Sequence, residues 1–206
     1  MAIKNIIFDW AGTLSSEPKE LYSMVKETFD ALGKKEVPYE EFQKGFNPKN
    51  PMEFYKKYAG ANEEEVKKVD KFSLDRLSNA PLYNGAKEVL NELHKKGYRI
   101  AVLSKGEKKE DILKKLKSAG INFVEVYTTP KNKTKEEYLP EVLGNNSYNP
   151  KETLLIGDQT KDISAGKKAG TKTVAVLYGL NPESELEKMK PDYKIKKLEE
   201  LLKIVK

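Results

Sequence analysis

Near the start of the chain, Ile6-Ile7-Phe8 runs straight into Asp9-Trp10-Ala11-Gly12-Thr13-Leu14. A short apolar, β-prone stretch that stops at a carboxylate and a Gly-Thr turn reads as a buried strand of an open parallel sheet. In such sheets ligands bind in the crevice outside the carboxyl ends of the strands, where the last side chain of a strand points. Asp9 is therefore a candidate nucleophile, and the turn Trp10-Ala11-Gly12 is placed to aim backbone N–H groups at an anion. Taken by itself, an aspartate at this position is equally suited to cap the next helix.

The pattern recurs along the chain. Residues 3–9, 98–104, 122–128, 153–158 and 173–178 read as strands, separated by helical patterns over 84–96, 111–119, 134–143 and 160–169. Val89, Leu90 and Leu93 share one helix face, as do Ile112, Leu113 and Leu116, and Gly97, Gly120 and Gly170 stand where those helices end. This alternation predicts an α/β fold with a three-layer, parallel-sheet core. Leu198, Leu201, Leu202 and Val205 form a C-terminal docking face. Residues 15–82 offer no strand. Leu21, Met24, Val25, Phe29 and Leu32 recur at helical spacing, and further helices are expected over 40–46, 52–58 and 63–77, punctuated by Pro38, Pro48, Pro51 and Pro81. The segment is too long for an ordinary crossover. Two domains are expected: 1–14 with 83–206, and an inserted all-helical domain over 15–82.

Composition narrows the function classes. At 206 residues the chain holds one full α/β domain and a small insertion. With no cysteine, thiolate catalysis, disulfides and Cys-ligated metals are excluded. The net charge of +6 comes almost wholly from lysine, interleaved with glutamate as in Lys108-Lys109-Glu110-Asp111. That is the pattern of solvated helix faces, not of a nucleic-acid-binding stripe. No apolar run is long enough for a bilayer, and Met1-Ala2-Ile3-Lys4-Asn5 lacks the features of a secretory signal, so a cytoplasmic setting is expected. Lysine and glutamate enrichment without cysteine fits a thermophile's protein.

Asp9-Trp10-Ala11-Gly12-Thr13 resembles motif I of the haloacid dehalogenase (HAD) superfamily, whose phosphatases usually read Asp-x-Asp-Gly-Thr. Three further pieces follow in that superfamily's order. Ser104, ending the second strand, resembles motif II, whose hydroxyl holds a phosphoryl oxygen; by local pattern alone it is a helix N-cap. Lys105 and Gly106 could add backbone donors. A lysine before the helix over 134–143 would be motif III. The candidates are Lys131, Lys133 and Lys135, and Lys133 is taken because Tyr138, Leu139 and Leu143 then fall where the helix should pack. Leu154-Leu155-Ile156-Gly157-Asp158-Gln159-Thr160-Lys161-Asp162 matches motif IV, Gly-Asp-x-x-x-Asp. The resemblance implies a Rossmann-like core with a helical cap of the C1 type, and an aspartyl-phosphate formed on Asp9. It implies phosphate binding by Trp10, Ser104, Lys105 and Lys133. Mg²⁺ would be held by Asp9, Asp158 and the Ala11 carbonyl, with Asp162 behind; hard oxygen ligands suit that ion. A cap closing over the core leaves room for a small phosphorylated metabolite.

One group departs from the pattern. Ala11 stands where phosphatases of this type carry a second carboxylate as general acid and base. Asp-Trp-Ala-Gly-Thr is close to motif I of phosphonoacetaldehyde hydrolase, a branch that cleaves a carbon–phosphorus bond through a Schiff-base lysine. Lys49, in Asn47-Pro48-Lys49-Asn50, is the candidate here. The dehalogenase branch also lacks that carboxylate but uses no metal, which the intact Gly-Asp-x-x-x-Asp argues against. A HAD fold that binds a phosphorylated ligand or a protein without turnover is the remaining alternative. His94 reads as a solvent-facing side chain, and Trp10 as either core or site.

Overall fold

The apolar stretch at the start of the chain forms a central strand of a six-stranded, all-parallel sheet. The computed structural model describes residues 2–47 and 50–205. Its strands are β1 (Asn5–Phe8), β2 (Arg99–Ser104), β3 (Glu125–Thr128), β4 (Thr153–Gly157), β5 (Lys172–Val176) and β6 (Tyr193–Ile195). Their order is β3-β2-β1-β4-β5-β6. The chain therefore builds outward on one side of β1 and then crosses to the other, leaving a switch point between β1 and β4. Phe8 is level with Val102 and with Ile156, so β1, β2 and β4 all deliver their last residues to one edge. β6 was not anticipated. It is a three-residue edge strand, too short to show a period of its own.

The described residues form two units: those of Met1–Ser15 with Leu82–Lys206, and those of Ser16–Pro81. The second is all helix: α1 (Glu17–Ala31), α2 (Tyr39–Gly45), α3 (Pro51–Ala59), α4 (Glu63–Val69) and α5 (Leu74–Ser78). Its centre is aromatic, with Phe42 stacked on Phe46 at 4.9 Å and Phe54 tilted against Tyr58 at 4.6 Å between ring centroids. Arg76 makes a two-pronged contact with Glu27 and a third bond to Glu20, tying α5 to α1. The single helix expected over 63–77 is in fact two. Its pattern is interrupted where the Thr28 hydroxyl takes the Lys71 N–H and the Asp70 carboxylate takes the Phe72 N–H, and Ser73 then caps α5.

The sheet is covered by α6 (Ala86–Lys95), α7 (Lys109–Ser118), α8 (Lys135–Asn145) and α9 (Thr160–Ala169). The shorter α10 (Glu183–Lys188) and α11 (Leu201–Ile204) complete the unit. Strand alternation sorts the core into two faces. Ile6, Phe8, Ile100, Val102, Leu154 and Ile156 pack toward α6, α7 and α11, while Ile7, Ala101, Leu103 and Leu155 pack toward α8 and α9. This is the three-layer α/β arrangement expected from the alternation of patterns. Leu198, Leu201 and Val205 are buried in it, with Leu202 packed alongside. No helix among the described residues is long and apolar enough to cross a membrane.

The closeness of α9 to the sheet rests on Gly166, where an added Cβ would lie 2.5 Å from Thr173 Cγ2 and 3.2 Å from Leu155 Cδ2. Thr173 cannot swing away, since its hydroxyl bonds Asp192. Gly166→Ala is expected to cost about 1–3 kcal/mol through overpacking, despite alanine's better helix propensity. Gly144→Ala in α8, where nothing lies within 4 Å, is expected to be neutral or stabilising by up to about 1 kcal/mol. Urea unfolding midpoints separate the two.

Candidate active site

Asp9 follows β1 directly, and its N–H still donates to the Ile156 carbonyl at 2.7 Å, so the sheet fixes where the side chain starts. The carboxylate is buried. Its Oδ1 accepts the Trp10 N–H at 2.7 Å and lies 2.5 Å from the Lys135 ammonium. The same ammonium donates to Asp162 Oδ1 at 2.7 Å. Burial works to lower the pKa of Lys135, but the charges of Asp162 and Asp9 outweigh it and hold the ammonium protonated.

The lysine at the site is thus Lys135 and not Lys133. The reason is helix phase. Thr134 caps α8 in a reciprocal pair with Glu137, which makes Lys135 the first helical residue. Lys135, Leu139, Val142 and Leu143 then fall on one face, and that face is the buried one. Lys133 lies outside the helix and pairs with Glu141 at 2.5 Å, while Lys131 is exposed.

Asp158, at the end of β4, is completely buried and held from two sides. Thr13 Oγ1 donates to its Oδ1 at 3.2 Å, and the Leu180 N–H to its Oδ2 at 2.7 Å. The backbone around it has no room for side chains. A Cβ at Gly12 would lie 2.1 Å from Asp158 Oδ2, and one at Gly179 2.2 Å from Asp158 Cβ. Gly12 also has φ +85°, a left-handed conformation that other residues adopt at a cost. Asp162 sits one turn into α9, where its Oδ2 takes the Gln159 N–H at 3.1 Å. Gly157 leaves space for it, since a Cβ there would meet Asp162 Cβ at 2.4 Å. The carboxylates of Asp9, Asp158 and Asp162 each present an oxygen within 4.8 Å of the others.

Ser104 is buried at the end of β2, and its hydroxyl donates to the Glu107 carboxylate. Lys105 is exposed and its ammonium donates to the Lys133 carbonyl at 2.7 Å. Trp10 belongs to the core: its side chain is buried under β1, with the Lys115 ammonium 5.4 Å from the ring, and its N–H is taken by Asp9. The N–H that was to cradle a phosphoryl group is therefore occupied. Ala11 bridges to Ser15 in the same turn. His94 is exposed and stacks on Phe123 at 4.0 Å. Lys49 lies outside the described residues. Sequence reasoning missed Glu107, for which no spacing rule exists. It also missed the segment 178–181, where Tyr178 donates to the Thr13 carbonyl at 2.8 Å and the Asn181 side chain accepts the Thr160 N–H at 2.9 Å. At the same sheet edge, the Thr129 hydroxyl is buried without a partner among the described residues, while its N–H holds the Ser104 carbonyl at 2.8 Å.

Residues 6–176 match the family described as haloacid dehalogenase-like hydrolase. The chain belongs to that family. It is 29% identical to a pyrophosphatase PpaX of Bacillus mycoides (strain KBAB4), over all of this chain and 98% of the relative. It is 26% identical to a pyrophosphatase PpaX of Halalkalibacterium halodurans, with 100% and 98% covered. A haloacid dehalogenase-like hydrolase from Streptococcus pneumoniae has the same fold, with a TM-score of 0.69, 20% identity and 98% of each chain covered. So does a protein described as a predicted phosphoglycolate phosphatase from Haemophilus somnus 129pt, with a TM-score of 0.69, 23% identity, and 98% and 97% covered.

Hydrolases of this family typically use a divalent metal, and the buried cluster of Asp9, Asp158 and Asp162 fits a hard cation. Every donor is a carboxylate oxygen, and among the described residues the one ammonium in contact with these three acids is Lys135, paired with Asp9 and Asp162. Burial, and then the charges of Asp9 and Asp162, push Asp158 well above the usual carboxylate range. Burial and Asp9 push Asp162 up to about 6 against the pull of Lys135. A carboxyl whose folded pKa is raised keeps its proton longer in the native state. Its contribution to stability is therefore full below the unfolded value and is lost as pH rises through the folded one, here between about 4 and 6 for Asp162. A divalent cation opposes that loss. Addition of Mg²⁺ is expected to raise the melting temperature little near pH 4. Near pH 7 the gain is about 5–10 °C at a hundredfold excess over the dissociation constant. Differential scanning fluorimetry with Mg²⁺ or EDTA checks this, and an increment independent of pH contradicts it.

Proposed function

We propose that this chain is a Mg²⁺-dependent phosphatase of small phosphorylated metabolites that works through an aspartyl-phosphate on Asp9. The observation that carries the reading is the buried Asp9–Lys135–Asp162 chain beside Asp158, at the switch point of a parallel sheet. The described partners of Asp9 all fall on Oδ1, which leaves Oδ2 as the attacking oxygen. Lys135 neutralises the nucleophile in the resting state and offers its charge to the phosphoryl group as that charge moves. Ser104 meets one phosphoryl oxygen, Asp162 keeps Lys135 in place, and Asp9 and Asp158, with the Ala11 carbonyl, would hold Mg²⁺. That ion supplies charge neutralisation for the transferring phosphoryl group. Residues 16–81 serve as the cap.

Ala11 sets the substrate preference. General acid–base help is worth about 10²–10⁴-fold, and no carboxylate stands here to give it. Substrates whose leaving group departs as a stabilised anion lose least: phosphoric anhydrides, acyl phosphates and aryl phosphates. The curated relatives named pyrophosphatase support that preference, since the leaving group of pyrophosphate is itself phosphate.

Phosphate release from pyrophosphate, acetyl phosphate, p-nitrophenyl phosphate, phosphoglycolate, phosphonoacetaldehyde and sugar phosphates tests the reading. Mg²⁺-dependent turnover is expected on the first three, falling to background in Asp9→Asn. Lys135→Met is expected to lose turnover and about 3–5 kcal/mol of stability, because it strands buried carboxylates. Lys133→Met should change stability by less than about 1 kcal/mol. Ala11→Asp is expected to raise turnover of sugar phosphates by about 10²-fold or more and of p-nitrophenyl phosphate far less. Turnover that survives Asp9→Asn overturns the reading. Preference for phosphonoacetaldehyde, with borohydride trapping of an imine on Lys49, would favour carbon–phosphorus cleavage instead.

A further inference from the structure

The contact between Ser104 and Glu107 sets which form of the phosphoryl group this site accepts. A serine hydroxyl has one proton to give and two lone pairs, whereas an ionised carboxylate only accepts. In the structure the Ser104 proton goes to Glu107, three residues on in the loop that leaves β2. What Ser104 shows the crevice is therefore a lone pair. A fully ionised phosphoryl group is acceptor-only and meets that lone pair unfavourably. A singly protonated one carries a P–OH, and its proton completes a chain from phosphoryl oxygen to Ser104 Oγ to Glu107.

Resting on the phosphatase reading above, we propose that Ser104 and Glu107 select the singly protonated phosphoryl group, so that the substrate brings the proton that Ala11 cannot supply. The balance closes for a phosphate monoester monoanion. Asp9 Oδ2 forms its bond to phosphorus and the bond from phosphorus to the leaving oxygen breaks. As that oxygen gains charge the P–OH proton breaks its hydrogen bond to Ser104 Oγ and passes to the leaving oxygen, giving a neutral alcohol and a dianionic aspartyl-phosphate. Glu107 acts through Ser104 and is a positioning residue.

Several charges face this corner. Lys105 shares the loop, Lys108 caps α7, Lys133 and Glu137 border the loop before α8, and Asp9 and Lys135 lie at the adjacent strand end. All of these remain in a variant at position 107, so the comparison isolates Glu107. In Glu107→Gln an amide N–H can donate to Ser104 Oγ, which frees the Ser104 proton for an ionised phosphoryl oxygen.

The test is binding of methylphosphonate, which has one P–OH near pH 5.5 and none near pH 8, to the Mg²⁺-loaded protein by calorimetry at those two pH values, alongside the pH dependence of kcat/KM for phenyl phosphate. Methylphosphonate and phenyl phosphate each lose their last P–OH proton within that span. The wild-type protein is expected to bind methylphosphonate roughly tenfold more tightly at the lower pH, and Glu107→Gln to lose or reverse that preference, with its kcat/KM profile moved to higher pH. Glu107→Asp should retain the wild-type direction. A wild-type pH preference left unchanged in Glu107→Gln, or a loss equal at both pH values, overturns the proposal while leaving the phosphatase reading intact. Failure of that reading shows separately, as p-nitrophenyl phosphate turnover that persists in Asp9→Asn.

Discussion

One buried ammonium decides the character of this molecule. Lys135 stands between Asp9 and Asp162, with Asp158 close by, so three acids share a single fixed positive charge in a volume closed to solvent. Removing such groups from water costs several kcal/mol each, and mutual attraction repays that only when geometry is tight. The surrounding backbone is built to give tight geometry. Glycines at 12, 157 and 179 let the aspartates occupy space that any side chain would fill. Thr13 and the Leu180 N–H then hold Asp158 from opposite directions. Even so, burial, and then the repulsion of neighbouring carboxylates, push Asp158 and Asp162 toward their protonated forms. The site is stable as a scaffold and electrostatically incomplete, a combination that suits a place where a cation and a phosphoryl group are to arrive.

What could be read from the sequence follows from the same physics. Asp9, Ser104 and Asp158 stand where a run of buried residues stops, so the change from apolar to polar marks a strand end and its side chain together. Asp162 was legible because the spacing of four from Asp158 spans one helical turn. In a chain so rich in lysine, Lys135 has no local mark of its own, and the packing of Tyr138, Leu139 and Leu143 does not separate it from Lys133. The decisive signal was the cap: Thr134 and Glu137 fix the start of α8, and counting from there puts Lys135 in phase with Leu139, Val142 and Leu143. Other features had no local signal at all. The break between α4 and α5 depends on Thr28, more than forty residues away in the chain. The contact of Leu180 with Asp158 depends on a loop arriving from β5. Trp10 was ambiguous because its two halves face different ways: the ring joins the core while the N–H turns to Asp9.

The chemistry of the site is easier to understand if its protons are counted. Lys135 is held protonated by two carboxylates and has no partner to which it could pass a proton at modest cost. The Ser104 hydroxyl donates its hydrogen bond to Glu107. Trp10 N–H is directed at the nucleophile itself. Ala11 has none to offer. None of these four groups is thus poised to protonate a departing alkoxide, although charge neutralisation is well provided for. A site of this kind discriminates by the stability of its leaving group more than by its shape, because the barrier it cannot lower is that of the unprotonated departure. Either the leaving group tolerates departing as an anion, or the proton comes in with the substrate. Both routes lead away from ordinary phosphate monoesters at neutral pH. On the proposed reading both routes also depend on Asp9, Lys135 and Asp158, so the presence of those residues beside Ala11 fits a site whose chemistry is altered at the leaving group.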